Sequence, residues 1–598
     1  MRIPLLLKST SQLLLPALEK YCSPPLPLGG ILGNHHRHIL PASRSMALRT
    51  MFLVACALSL LQCTAVLAAI VEHTFNVENL TVSRLCQERT IIAINKQLPG
   101  PIIRAREGDT LVIHVNNLSP YNMTIHWHGI FQTFSCWMDG PSYVTQCPLL
   151  PGRNYTHRFN VTGQEGTLWY HAHVSWLRAT VHGALIIRPR HRRSYPFPKP
   201  HREFPIVLGE WWNANVVEVE AQALAYGLAP NISDAFTING KPGHLYPCSK
   251  NVMHTIEVVH GKTYLLRIVN AALNSHLFFK VAHHKLTVVG IDATYTEPYH
   301  TDFVVIAPGN TIDVLLTADQ PPARYYFAAR AYSSANGIPF DNTTTTGLLL
   351  YTHEPDKTAP VMPVLPQCND TALATRFYTS LTGLSTPEYP LVVPTKVDEH
   401  MFITLGLGLV GKNLAAYMNN VSLVLPSTRS LLEAQHFGIS GVYTPDFPNE
   451  PPVKYDYTNP NIPQALWQTQ KATRAKVLKF NSTVQMVLQN TATLGVENHP
   501  IHLHGYNFYV LAQGFGNYQP GMDEAKFNLI NPQMRNTLGV PAGGWAAIRF
   551  TADNPGTWIM HCHFDSHLPM GLGTVFLVEN GPTPSTCLPP PPDDYPTC

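Results

Sequence analysis

The densest chemistry in the chain lies near its C terminus, at His561-Cys562-His563-Phe564-Asp565-Ser566-His567. A single thiol between two imidazoles, with a third imidazole close behind, suits a soft, redox-active ion. Two imidazole nitrogens and one thiolate in a trigonal arrangement form the ligand set of a blue copper centre. If Cys562 and His567 serve one such ion, His561 and His563 must point elsewhere. Neighbours in an extended strand face opposite sides, whereas residues two apart share a face. One strand could then hold a metal on its thiol side and offer two imidazoles to other metals across it. Only a few covalent bonds would separate the two sites, a layout suited to passing electrons.

Three more His-x-His pairs precede this one: His126/His128, His171/His173 and His502/His504. They occupy equivalent places in a repeat. The first copy reads Gly108-Asp-Thr-Leu-Val-Ile-His-Val-Asn-Asn117, His126-Trp-His-Gly129 and Gly166-Thr-Leu-Trp-Tyr-His-Ala-His173. The last reads Val484-Gln-Met-Val-Leu-Gln-Asn490, His499-Pro-Ile-His-Leu-His-Gly505 and Gly556-Thr-Trp-Ile-Met-His-Cys-His563. A middle copy keeps the frame at Gly261–Asn270 and Gly309–Val314 but lacks the pairs, and His283 and His284 in it read as ordinary residues. One pair alone is usually structural, but eight histidines at matching places in two copies require a common purpose. Neutral imidazole suits copper or zinc. A structural zinc site closes with four ligands, so eight imidazoles beside a separate Cys-His-His set exceed its needs. Several redox-active ions account for them better.

Short alternating apolar runs such as Thr110–Asn116 and Ala184–Arg188 must position these ligands, and no long helical stripe stands out in 70–190. With 52 prolines and 38 glycines as turn punctuation, the pattern predicts an all-β protein of sandwiches or barrels. The expected domains are 70–190 and 400–598, both metal-bearing, and 200–355 without metal, separated near Pro189–Pro205 and in the Pro-rich 355–400 stretch. The formal charge is only +3 with 13% charged residues, and no Lys/Arg run suggests a nucleic-acid partner.

Residues 46–69 read as a secretory signal, with Arg49 before an apolar run and small residues at Val66-Leu-Ala-Ala69. The run is short for a membrane anchor, so none is expected. Residues 1–45 are an upstream extension or a transit-like leader. Ten Asn-x-Ser/Thr sequons follow: Asn79, Asn117, Asn122, Asn154, Asn160, Asn231, Asn342, Asn369, Asn420 and Asn481. They fit a secreted glycoprotein. Eight of 11 cysteines lie beyond the signal. With Cys562 assigned to metal, seven remain, so at least one stays unpaired within the chain.

These motifs, in this order from about Ile70 to Cys598, resemble the blue multicopper oxidases, and most closely the plant laccases. The resemblance implies three consecutive cupredoxin-like domains, each a Greek-key β-sandwich or barrel, and four copper ions per chain. It puts the type 1 copper on His499, Cys562 and His567, with the non-coordinating Leu572 at the axial position. Loss of a weak thioether ligand there should raise the potential. Met570, two positions early, bears on pocket shape. The type 2 copper would take His126 and His502, and the type 3 pair His128, His171, His173, His504, His561 and His563. Trp137-Met-Asp-Gly-Pro141 and Leu177-Arg-Ala-Thr-Val181 also fit the plant pattern. By analogy Asp139 relays protons near the type 2 copper, against the alternative of a surface or capping carboxylate, and Glu210 is a substrate-pocket acid. Cys86–Cys248 and Cys147–Cys598 resemble family disulfides, while Cys136, Cys368 and Cys587 have no assigned partner.

The activity implied is one-electron oxidation of phenols near His499 or His567, with electrons crossing Cys562 to His561 and His563 and dioxygen reduced to water. Monolignols and flavonoids are the donors implied, with synthesis and breakdown of lignin-like polymers both open. A secreted monomer of the apoplast or cell wall is expected. The alternatives are an oxidase of ascorbate or ferrous iron, for which the sequence offers few carboxylates beyond Asp565, and a non-catalytic cell-wall copper protein.

Overall fold

The computed structural model describes residues 68–246, 248, 252–335, 337–352 and 359–598. The 1–45 extension and almost all of the 46–69 signal lie outside these residues. Strands dominate and form three successive pairs of sheets, within residues 70–188, 202–351 and 399–578.

In the first pair, one sheet runs in the order Gln87–Ile94, Ile70–Arg84, Thr110–Asn117, Asn154–Asn160. The other runs Ile103–Arg106, His182–Arg188, Gly166–Ala172, Ile125–His126. Ile70–Val77 lies parallel to Thr110–Asn117 and Asn154–Asn160 antiparallel to it. Parallel neighbours cannot be joined by a hairpin, so the chain must cross between sheets, as in a Greek-key sandwich. Phe75, Leu111, Ile113, Trp127 and Tyr170 fill the space between. The middle pair has six and five strands and the last pair eight and five, each closed over its own apolar core. Residues 580–587 contain a single 3-10 turn, Pro584–Thr586, closed by reciprocal bonds between Thr583 and Thr586.

Among the described residues, the two longest helices stand apart from the all-β reading. Val216–Tyr226 starts at Asn215, whose side chain accepts from the Val217 amide, and ends at Gly227 with φ 64°. It buries only Val219 and Ala223, so its sequence carries a weak apolar stripe. Thr371–Ser380, inside the Pro-rich 355–400 stretch, is capped by Asp370 and sinks Phe377 and Tyr378 into the middle core.

Disulfides join Cys86 to Cys248 and Cys147 to Cys598. Cys136 is a buried free thiol and Cys368 a partly exposed one. The C-terminal tail is bound to the 136–147 loop by more than its disulfide. Trp137 Nε1 donates to Pro589 O at 2.8 Å, and Tyr595 Oη to Thr145 O at 2.8 Å.

Candidate metal centres

Strand register brings the four His-x-His pairs together. His126 lies opposite His171 between antiparallel strands of the first domain, and His502 opposite His561 in the last. The two half-sites then meet face to face. His128 stacks on His502 with ring centroids 3.8 Å apart, and His126 on His504 at 4.0 Å. Nε2 of His561 is 3.3 Å from Nε2 of His173 and 3.2 Å from Nε2 of His504. His563 Nε2 is 3.1 Å from His128 Nδ1. Three overlapping groups could each hold an ion: His126, His502 and His504; His126, His128 and His171; His173, His504 and His561.

The outward ring nitrogens are held by the protein, which settles the tautomers. Nδ1 of His502 donates to Asn536 O at 2.8 Å, that of His171 to Ala172 O at 2.8 Å and that of His561 to Cys562 O at 2.9 Å. Each leaves Nε2 as the inward lone pair. His128 is reversed, with Nε2 3.1 Å from Thr537 Oγ1 and Nδ1 facing inward. Such partners orient metal-binding imidazoles and strengthen them as ligands.

Asp139 is fully buried, which removes the surface-carboxylate alternative. Its Oδ2 accepts from His504 Nδ1 at 2.8 Å, and its carbonyl accepts from His126 Nδ1 at 2.9 Å. Its Oδ1 lies 3.2 Å from His126 Nδ1. The loop reaches this depth because Gly140, at φ 101°, has no Cβ. One built there would sit 1.9 Å from Ile125 O. The middle domain approaches by the same means. A Cβ on Gly309 (φ 92°) would stand 3.0 Å from the His563 ring, and Gly309 O accepts from Trp169 Nε1 at 3.1 Å.

The second ligand set is separate. Cys562 Sγ lies 3.5 Å from His567 Nδ1 and 3.8 Å from His499 Nδ1. Leu572 is buried, its carbonyl accepting from Cys562 N and its amide donating to His567 O, both at 3.0 Å. Sequence reasoning missed three supports of this site. Glu497 Oε1 is 3.1 Å from His567 Nε2; its only signal was its place two residues before His499. His276 of the middle domain donates through Nε2 to Asn498 O at 3.0 Å. Arg178, noted only as part of a motif, is buried and donates to His563 Nδ1 and His563 O, each at 2.9 Å. It also pairs with Asp565 Oδ1 at 3.1 Å.

A cavity of about 530 Å³ opens beside this set, lined by His567, Phe564, Met570, Leu494, Ile338 and Phe340 among others. His499 is buried behind it. Glu210 lines the same cavity, but its carboxylate is already engaged. It accepts from the amides of Leu273 (2.8 Å) and Asn274 (3.0 Å) and from Ser275 Oγ. The Leu273 carbonyl then accepts from Asp565 N at 3.0 Å, and Asn274 Oδ1 from Ser566 N at 2.9 Å. Glu210 therefore lines the cavity and also steadies the loop that carries the 563–567 turn. Its burial pushes its carboxyl up to about 7.

The donors fit copper. Nε2 of His126, His171 and His502 is buried without a hydrogen-bond partner, a cost of about 1–3 kcal/mol for each group left unpaired. Burial, then neighbouring imidazoles, hold His128, His502 and His504 well below the usual histidine range, and burial holds His561 and His499 down at about 3. Burial therefore favours the neutral imidazoles that metal binding needs. Burial pushes the Cys562 thiol up, so a metal ion binding there must expel its proton.

Known proteins share this architecture. Family models described as multicopper oxidase match residues 76–192, 202–354 and 446–582. Laccase-7 of Arabidopsis thaliana is 59% identical over 560 residues, covering 91% of this chain and 99% of that one. Laccase-12 of the same plant is 53% identical, covering 90% and 98%. The crystal structure of laccase from Botrytis aclada superposes with a TM-score of 0.66 at 28% identity, covering 85% and 88%.

Proposed function

The chain belongs to the multicopper oxidase family, and from that membership and its two ligand sets we infer the following account of its chemistry. It is a laccase, a copper-dependent oxidoreductase that couples oxidation of small molecules to reduction of dioxygen. We assign one copper to His499, Cys562 and His567, and one to His126 and His502. A pair of coppers would be held by His128, His171 and His563 on one side and His173, His504 and His561 on the other. Copper bound in these sets supplies one-electron steps and a place for dioxygen to be reduced to water.

The protein's own part follows from where its side chains stand. The observation that carries the reading is His567, which lines the donor cavity and turns Nδ1 toward Cys562 Sγ at 3.5 Å. Cys562 is covalently flanked by His561 and His563 of the other ligand set, the shortest link between the two. His567 lines the cavity and His499 does not, so His567 is the edge a donor reaches. Phe564, Leu494, Phe340 and Met570 favour an uncharged aromatic ring, and the Glu497 carboxylate offers an acceptor for a phenolic O–H near His567. Monolignol- or flavonoid-type phenols meet both demands. Asp139 holds His504 and His126 in the tautomers their roles require and is placed to hold a proton at Oδ1. Among the described residues no helix is long and apolar enough to cross a membrane. A secreted monomer of the apoplast or cell wall is the setting we propose.

The test is the visible spectrum and phenol-dependent oxygen uptake of the secreted, copper-loaded protein beside Cys562→Ser. An intense blue thiolate-to-copper band with uptake of oxygen on a methoxyphenol, both lost in the variant, is expected. Bound copper without a blue band would sink the assignment of Cys562. Uptake with ferrous iron or ascorbate but not with phenols would move the donor to another class, and Glu497 beside His567 makes ferrous iron the first to try.

A further inference from the structure

We propose that Asn231 carries an N-linked glycan that shades the mouth of the donor cavity and limits the size of donor reaching His567. The proposal rests on the reading of the chain as a secreted laccase. A sequon is not sufficient by itself. Asn117 heads one, yet it is buried, and its Nδ2 donates to Tyr121 O and Leu149 O, both at 2.8 Å. Asn231 is the opposite case. It is exposed, in the irregular stretch between helix Val216–Tyr226 and strand Ala235–Ile238, where acceptor asparagines belong.

Its position gives the modification a consequence. Asn231 lines the cavity that holds His567, and also a neighbouring cleft of about 910 Å³ on its other side. The backbone there is anchored, with Trp212 Nε1 donating to Asn231 O at 3.4 Å and Ser233 Oγ to Asp341 Oδ2 at 2.8 Å. A first sugar on Nδ2 would therefore stand in a defined place. The rim around it is apolar, with Ile232 and Ile338 exposed at 47% and 50%. An exposed apolar rim invites association, and a hydrated oligosaccharide would cover it while leaving the deeper cavity open. Attachment joins Nδ2 to the anomeric carbon of the reducing-end N-acetylglucosamine of a lipid-linked oligosaccharide. The bond from that carbon to the lipid pyrophosphate breaks, and the amide gives up a proton.

Glycopeptide mass spectrometry of the secreted protein reads occupancy directly. Steady-state oxygen uptake then compares wild type, Asn231→Gln and Asn481→Gln with a small methoxyphenol and a dimeric phenol. The expected result is an occupied Asn231 and, in Asn231→Gln alone, a several-fold lower KM for the dimeric donor with the small donor's KM unchanged. A bare Asn231 peptide overturns the proposal, as does an occupied site with equal KM values in all three proteins. Uptake absent from every protein would sink the laccase reading and the gating with it, whereas intact uptake with unchanged KM sinks the gating alone.

Discussion

Replacing Asp139 probes the join between the two halves of the cluster. In the native protein Oδ2 accepts from His504 Nδ1 at 2.8 Å, and Oδ1 faces His126 Nδ1 at 3.2 Å. Asp139→Asn can keep the acceptor toward His504 but turns a bond to a charged oxygen into a neutral one, roughly half as strong. It also sets an amide N–H against a His126 nitrogen that already donates. The loss should be about 1–1.5 kcal/mol, or roughly tenfold in copper affinity. Asp139→Ala leaves the His504 N–H buried without an acceptor and frees the ring to turn. That costs about 1–3 kcal/mol, placing the fall in affinity toward the upper end of the ~10–100-fold range for groups that orient metal ligands. The assay is copper per chain after dialysis against a graded chelator series, with thermal unfolding of the metal-free proteins as the control for folding. The reasoning fails if Asp139→Ala retains copper like wild type at every chelator concentration, or if Asn weakens binding more than Ala.

Leu572→Met should keep the fold, since volume-conserving core swaps cost less than ~1.5 kcal/mol, and lower the potential by offering a thioether to the Cys562 site; redox titration of the blue band reads it, and an unchanged potential would show that the side chain does not face the ion. Glu210→Gln tests a pH dependence. A carboxyl raised from 4.5 to about 7 in the folded state binds more protons folded than unfolded, so native stability is fullest below about pH 4.5 and falls by up to about 3 kcal/mol as pH rises through 7. Thermal unfolding of the metal-free protein should show this decline flattened in the variant, and parallel wild-type and variant profiles would count against it. Cys598→Ser opens the link to Cys147 and should lower stability by about 2–5 kcal/mol, with a lower unfolding temperature and faster proteolysis of the tail. An unchanged unfolding temperature would mean that Tyr595 and the Pro589 carbonyl hold the tail without the disulfide.

The sequence by itself determined the kinds of donor and their local geometry. Thiol and imidazole chemistry, the two-residue period of a strand and the repeat of His-x-His motifs marked the four His-x-His pairs as candidate metal ligands and separated Cys562 from His561 and His563. These are properties of neighbouring residues, visible without a fold. The tertiary structure decided what surrounds them. Pairing of His126 with His171 and His502 with His561 depends on strand register, which residues 45 and 59 positions apart can set only by packing. Burial of Asp139 between His504 and His126 depends on a loop that Gly140 allows against Ile125. The middle domain, without ligands of its own, supplies His276 to the Asn498 carbonyl and Gly309 to the His563 ring. Glu210 shows the same limit from the other side: its place in the chain suggested, by resemblance, a substrate-pocket acid, and only the backbone amides of Leu273 and Asn274 reveal that it also steadies the turn between His563 and His567. Ligand identity is written in side-chain chemistry, whereas orientation, tautomer and access arise from long-range contacts.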